Sequence, residues 1–202
     1  MDFYQRQAVA RRQSRWLVLA LALSNPIECL DWTVARGVQD ARRPALEGVM
    51  QQATAFGRPV VVVGGLAIVL AVDLASGGGW STVRLALGAL AGTNLVVEGL
   101  KRGIGRTRPD GERRRSNSSF PSSHAANAFA LAWVLGARWR RGIPFFFALA
   151  LLVAFSRMYL NRHFLSDVVV GAFIGVICAW AVARWLPLRR RPAERGTATP
   201  GL

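Results

Sequence analysis

Uncharged apolar runs recur along this chain at residues 59–72, 85–97, 125–137, 143–155 and 168–183. Each is shorter than the roughly 20 apolar residues that a bilayer-spanning helix needs. None carries a polar stripe of helical period, and a helix that is apolar all round must hide in a large interior or in lipid. A chain of 202 residues has too much surface per volume to bury five such helices in water. The flanks supply the missing length. Arg84, Arg138 and Arg184 can reach the interface along their apolar stems, while Trp80, Trp139 and Trp185 sit at headgroup depth. The pattern predicts an all-α membrane protein with spanning helices at about 57–76, 80–100, 124–139, 143–159 and 166–186.

A sixth apolar segment, 16–23, follows Arg11, Arg12 and Arg15 and ends at Ser24-Asn25-Pro26. With Ala22 and Ser24 as small residues before a cleavage point it could be a signal peptide. The reading adopted is an uncleaved first helix running through Cys29 to about Trp32, which makes a bundle of about six transmembrane helices. Residues 33–56 then begin on the far side from the N-terminus. They contain arginine and are weakly amphipathic, as befits a segment lying along the interface. The whole chain, 1–202, reads as a single integral-membrane domain with a basic cytoplasmic tail at 187–202.

Charge sharpens this picture. There are 26 Lys+Arg against 11 Asp+Glu, a net charge of +15, yet 52% of the residues are hydrophobic. That excludes a disordered basic tail and points to an anionic partner such as a lipid headgroup or a phosphorylated substrate. Nucleic acid is disfavoured because the arginines lie in short loops between apolar helices, not along one basic face. Two cysteines, Cys29 and Cys178, make neither a disulfide framework nor a thiolate zinc site, and no disulfide is expected between them. Basic residues divide almost evenly between the two faces. The 138–141 loop and both termini are purely basic flanks of the kind that the positive-inside rule weighs most, so the termini are assigned to the cytoplasm and the other face to the outside.

Three segments on that outer face hold polar residues at informative spacings. Lys101, the one lysine of the chain, opens Lys101-Arg102-Gly103-Ile104-Gly105-Arg106-Thr107-Arg108-Pro109. Pro121-Ser122-Ser123-His124 opens a helix. Ser156-Arg157 is followed by His163 and Asp167, and His124 and His163 are the only histidines. Phosphate oxygens want guanidinium forks, a lysine point charge and the backbone N–H groups of a helix N-terminus. Lys101, Arg108 and Arg157 supply the cations, and Ser122 and Ser123 the helix start. His163 and Asp167 are four apart, which on a helix places them on one face, with the carboxylate holding one ring nitrogen and the other free to attack. His124, from another helix, is free to act as an acid toward a leaving oxygen.

These segments, 101–109, 121–124 and 156–167, resemble the signature of the type 2 phosphatidic acid phosphatase family, membrane lipid phosphatases that share an active site with the bacterial acid phosphatases and vanadium haloperoxidases. The resemblance implies an acid phosphatase/haloperoxidase-like helical core that hydrolyses a terminal phosphate or pyrophosphate on a lipid. It implies that His163 forms a phosphohistidine, that Asp167 orients it, and that His124 protonates the leaving alcohol and then activates water. Lys101, Arg108, Ser122, Ser123 and Arg157 would bind the phosphate, without a metal or other cofactor. The family usually has glycine where this chain has Ser123, which would matter if that backbone needed φ > 0.

Each piece also has an ordinary structural reading. Lys101 can be a snorkelling helix end, Ser122-Ser123 a cap, His163 and Asp167 a surface pair, and Arg113-Arg114-Arg115 a solvated cluster. The lone lysine and both histidines all fall at signature positions, and that coincidence favours the site. Lipid-to-lipid phosphotransfer and non-catalytic binding of anionic lipid are the rival functions. Arg106, Arg162 and Tyr159 neighbour the site, Asn94 and Asn127 are expected to bond between helices, and Asp73 is expected to reach the interface.

Overall fold

The computed structural model describes residues 26–77, 79–112 and 118–188, and the regular elements among them are helices. The expected start of the first helix at 16–25, the 113–115 arginines and the tail from 189 onward lie outside the described residues. The order is α1 (26–40), α2 (Pro44–Ala55), α3 (Pro59–Ala75), α4 (Ser81–Ile104), α5 (Ser123–Arg138), a 3-10 turn at Arg140–Gly142, α6 (Ile143–Tyr159) and α7 (Leu165–Ala183). All five apolar runs are therefore helical. Among the described residues, α4, α6 with its 3-10 lead-in, and α7 are each long and apolar enough to cross a bilayer. The pair α2 and α3 meets the same condition as one stretch bent by 57°. Large apolar side chains such as Val60, Ile68, Leu95, Phe145 and Phe173 stay exposed, the surface of an integral membrane protein.

α5 is the hub, packed against α4, α6 and α7. Its 16 residues rise only about 24 Å, short of a roughly 30 Å hydrocarbon core. Enclosure by three helices, not contact with lipid, accounts for its apolar character. Small residues let the backbones close up: a Cβ on Gly175 would fall 2.0 Å from the carbonyl oxygen of Ala126, and one on Gly171 2.6 Å from that of Ser122. This seam seats the N-terminus of α5 directly on the first turns of α7. Asn94 of α4 and Asn127 of α5 exchange amide hydrogen bonds at 3.2 and 3.3 Å, as expected of polar groups inside apolar runs.

At the opposite end from the signature segments, the structure corrects one expectation. Asp73 does not reach the interface. It is fully buried, and Arg138 Nε donates to its carboxylate at 2.8 Å, so Arg138 turns inward instead of snorkelling. The backbone N–H of Thr82 also donates to it, at 3.3 Å. One ion pair thereby clamps the ends of α3, α4 and α5. The first helix runs beyond Trp32 to residue 40, because its end is tied to α6: Gln39 donates to the carbonyls of Met158 and Tyr159, and the Tyr159 hydroxyl bonds the backbone of Arg43.

Candidate active site

α6 stops at Tyr159, and the chain turns through Asn161 in the left-handed region at φ 56° before α7 starts at Leu165. His163 lies in that link, before the helix, which corrects the expectation that it and Asp167 share a helix face. Asp167 sits at the third position of α7, where its carboxylate accepts the N–H of the capping residue Phe164 at 2.8 Å, a favourable place for an anion. The expected bond from Asp167 to His163 is also replaced. Nδ1 of His163 is 3.8 Å from Asp167 Oδ2 but 2.7 Å from the backbone carbonyl of Ser119. The Ser119 hydroxyl in turn donates to Asp167 Oδ2 at 2.5 Å. A carbonyl only accepts, so Nδ1 carries the proton and the Nε2 lone pair is left free. Burial pushes the His163 pKa below its usual value, with Arg157 and Arg108 adding to the effect and Asp167 opposing it. The ring is neutral at pH 7.

Around it gather the three cations. Lys101 closes α4, whose end is set by Gly105 in the left-handed region at φ 62°, where a side chain would be strained. Its ammonium is 3.5 Å from Glu98. Arg108, 5% exposed, donates to the carbonyl of Arg162 at 3.3 Å, and burial and the Arg162 charge disfavour its protonated form. Arg157, in the last turn of α6, donates to the Thr54 hydroxyl at 2.8 Å, while its Nε is buried without a partner. A buried guanidinium N–H without a protein partner, set among other cations, is a donor suited to an anion oxygen.

Ser122 caps α5, its hydroxyl accepting the Ala125 N–H at 3.4 Å while its own N–H donates to the Asp167 carbonyl at 3.0 Å. Ser123 begins the helix proper. Asn161 is the one non-glycine with positive φ among the described residues, so serine in place of the usual glycine carries no backbone strain at 123. His124 follows, its ring against Gly57 in the elbow between α2 and α3. All eight residues singled out from the sequence thus converge at one end of the bundle.

Several neighbours were not foreseen as parts of the site. Ser119, Thr54 and Gly57 carry no local signal. Arg106 was noted only as a neighbour, and here its guanidinium donates to Asp167 Oδ1, Ser166 Oγ and Asp31 Oδ2, each at 2.7 Å, and stacks on Phe164. Burial opposes its charge, but the bonds to Asp31 and Asp167 outweigh that and raise its pKa. Asp31 was not singled out either, being one of two carboxylates, with Glu28, in the expected first helix. Arg162 pairs with Asp110 at 2.9 Å and Glu112 at 3.0 Å, fastening the loop after α4 to the turn before His163.

Below the site lies a cavity of about 550 Å³ between α3, α5 and α6, lined by residues including Phe56, Leu66, Ala128, Leu135, Phe146 and Val153. Ala128 is one turn from His124 and Val153 one turn from Arg157, so the cavity comes within a helical turn of the site and runs between apolar helices.

Residues 82–191 match the PAP2 superfamily. Phosphatidylglycerophosphatase B of Bacillus subtilis is 29% identical over 182 residues, covering 83% of this chain and 89% of that protein. The crystal structure of a transmembrane PAP2-type phosphatidylglycerolphosphate phosphatase from Bacillus subtilis superposes with a TM-score of 0.69 at 27% identity, covering 84% of this chain and 90% of that one. That of Aquifex aeolicus LpxE gives 0.68 at 27% identity, covering 77% and 95%.

Proposed function

The chain belongs to the PAP2 superfamily, and from that premise we propose that it is a membrane lipid phosphatase working through a phosphohistidine. The observation that carries this reading is the His163 ring, locked by the Ser119 carbonyl into the tautomer with Nε2 free, beside an unpaired guanidinium N–H. Nε2 attacks phosphorus. The N–P bond forms as the P–O bond to the lipid breaks, and His124 gives the leaving oxygen its proton. Lys101, Arg108 and Arg157, with the backbone N–H groups at the start of α5, hold the equatorial oxygens as charge shifts among them. Water then attacks phosphorus, His124 takes its proton, and inorganic phosphate leaves with His163 restored.

The cavity suits one apolar chain of the substrate while the phosphate stands among the cations. Phosphatidylglycerophosphate is the first candidate, since that is the lipid named for the Bacillus subtilis phosphatase in both sequence and structure matches. Phosphatidic acid, polyprenyl pyrophosphate and lipid A phosphates present the same terminal group. The site faces the outside of a bacterial cytoplasmic membrane in this reading, with the basic turn at Arg140 and Arg141 in the cytoplasm.

The test is release of labelled phosphate from these lipids in detergent. His163→Ala abolishes it and also removes covalent labelling of the protein, EDTA leaves it intact, and vanadate inhibits. Full turnover in His163→Ala, or strong inhibition by EDTA, overturns the mechanism.

A further inference from the structure

A carboxylate is rarely buried whole, and one that is must be paired and hydrogen-bonded. Asp31 is such a group. It lies on α1, outside the span matched to the superfamily, and is 1% exposed. Both of its oxygens are used: Oδ1 accepts the Ser166 N–H at 2.9 Å, while Oδ2 accepts the Ser166 hydroxyl at 2.5 Å and Arg106 at 2.7 Å. Ser166 is the residue before Asp167, in the first turn of α7. Next to Asp31, Trp32 packs edge-on against Phe164 at 5.0 Å, and the other face of the contact is the Arg106 guanidinium, 4.4 Å from the same ring.

The geometry points to Asp31 as a positioning residue for the nucleophile, holding Arg106 so that this guanidinium grips Asp167 and, through Ser119, fixes the tautomer of His163. The inference rests on the phosphohistidine reading of the same site. Two carboxylates divide one guanidinium. With the Asp31 charge gone, Arg106 shifts onto Asp167 alone and competes with Ser119 for its oxygens. An asparagine cannot substitute, because its NH₂ would face a donor whichever way it is turned: Ser166 N–H on one side, Arg106 and the Ser166 hydroxyl on the other. Loss of register at Asp167 releases the Ser119 hydroxyl, and with it the carbonyl that holds Nδ1. Misplacement on the scale of 1 Å at a reacting group costs roughly 100-fold in rate.

Because the chain has only two histidines, protein labelled with ¹⁵N-histidine reports the tautomer of each directly, with His124→Ala assigning the signals. Wild type shows His163 protonated on Nδ1. Asp31→Asn gives mixed tautomers, and kcat falls roughly 10- to 100-fold with KM within about twofold, the mark of geometry lost after binding. In an Arg106→Gln background Asp31→Asn costs less than about twofold more, since both act along one path. If Asp31→Asn fails to fold, Arg106→Lys, which keeps the charge but not the fork, decides by the same tautomer signal. A wild-type tautomer with unchanged kcat in Asp31→Asn, multiplying losses in the double variant, or a wild-type tautomer in folded Arg106→Lys overturns the inference. Absence of lipid phosphate turnover in the wild type would instead sink the functional reading, and the tautomer measurement would still decide the role of Asp31.

Discussion

Gly57 offers a sharp probe of whether His124 does chemistry. A Cβ added there would lie 2.5 Å from Cδ2 of the His124 ring, 3.2 Å from Cγ and 3.4 Å from Cβ. Carbon atoms settle at about 3.5–4.0 Å, so Gly57→Ala must drive the imidazole away by roughly 1 Å. Gly57 has an ordinary negative-φ backbone, so alanine meets no conformational barrier, and the ring can give way by rotating. Little stability is therefore lost, but the proton donor leaves its place. A displacement of this size costs roughly 100-fold in rate, about 2.7 kcal/mol at the transition state. Lys101, Arg108 and Arg157 are untouched, so the phosphate binds as before. The expected result in detergent is a melting temperature within about 2 °C of wild type, KM within about twofold and kcat down roughly 100-fold. Gly48→Ala is the control, since a Cβ there meets nothing within 4 Å and the residue lies outside the cavity, and it should keep wild-type turnover. Gly57→Ala with kcat within threefold of wild type, or with the loss falling on KM, would refute a proton-transfer role for His124.

In the proposed mechanism the free base of His163 attacks, and burial lowers its pKa, so activity should persist as pH drops through 6.5 and fail only below it; an acid limb at or above pH 6.5 contradicts the reading. Stability declines already over the window in which activity persists, because the unfolded histidine binds a proton below about 6.5 that the folded one refuses, so melting temperature falls with acid. Arg138→Met strands the buried Asp73 carboxylate and should destabilise by about 3–5 kcal/mol, read as a lowered melting temperature, with kcat of the folded fraction unchanged at the distant site. Gly65→Leu puts a side chain into open space lining the cavity. It should lower kcat/KM about tenfold on a long-chain lipid phosphate, as for two buried methylenes, and leave a short-chain soluble phosphate ester unaffected.

Helix positions were legible because an apolar run in lipid has one solution, so α4, α6 and α7 fall within a few residues of the runs read from the sequence. Residues of the candidate site were legible where side-chain type is scarce and chemically specific, as with Lys101, His124 and His163, which the fold brings together. Contacts made by backbone were not. The Ser119 carbonyl that fixes the His163 tautomer comes from a residue whose side chain predicts nothing about its carbonyl, and it depends on how the loop before α5 folds over α7. The four-residue spacing of His163 and Asp167 suggested a shared helix, yet the capping demand of α7 takes Asp167 for its own N-terminus and leaves the histidine in the link. Asp73 and Arg138 were read as interface residues because each lies at a helix end. Only the packing of three ends together shows that they neutralise each other.

The N-terminal third supplies what the superfamily span lacks. Within 82–191 lie all eight residues assigned to the chemistry, but three of their supports come from before residue 82. Thr54 holds Arg157, Gly57 leaves the space that His124 occupies, and Asp31 anchors Arg106. Each support touches a different part of the proposed reaction: a phosphate cation, the proton donor, and the orientation of the nucleophile. A half-buried cation, a small residue at a close approach and a buried carboxylate are each costly or inert alone, and each becomes intelligible only through its partner across the bundle. It follows that substitutions in α1 and α2 should separate the steps of the reaction more cleanly than substitutions in the site itself, because they move one group at a time and leave every reacting atom in the protein.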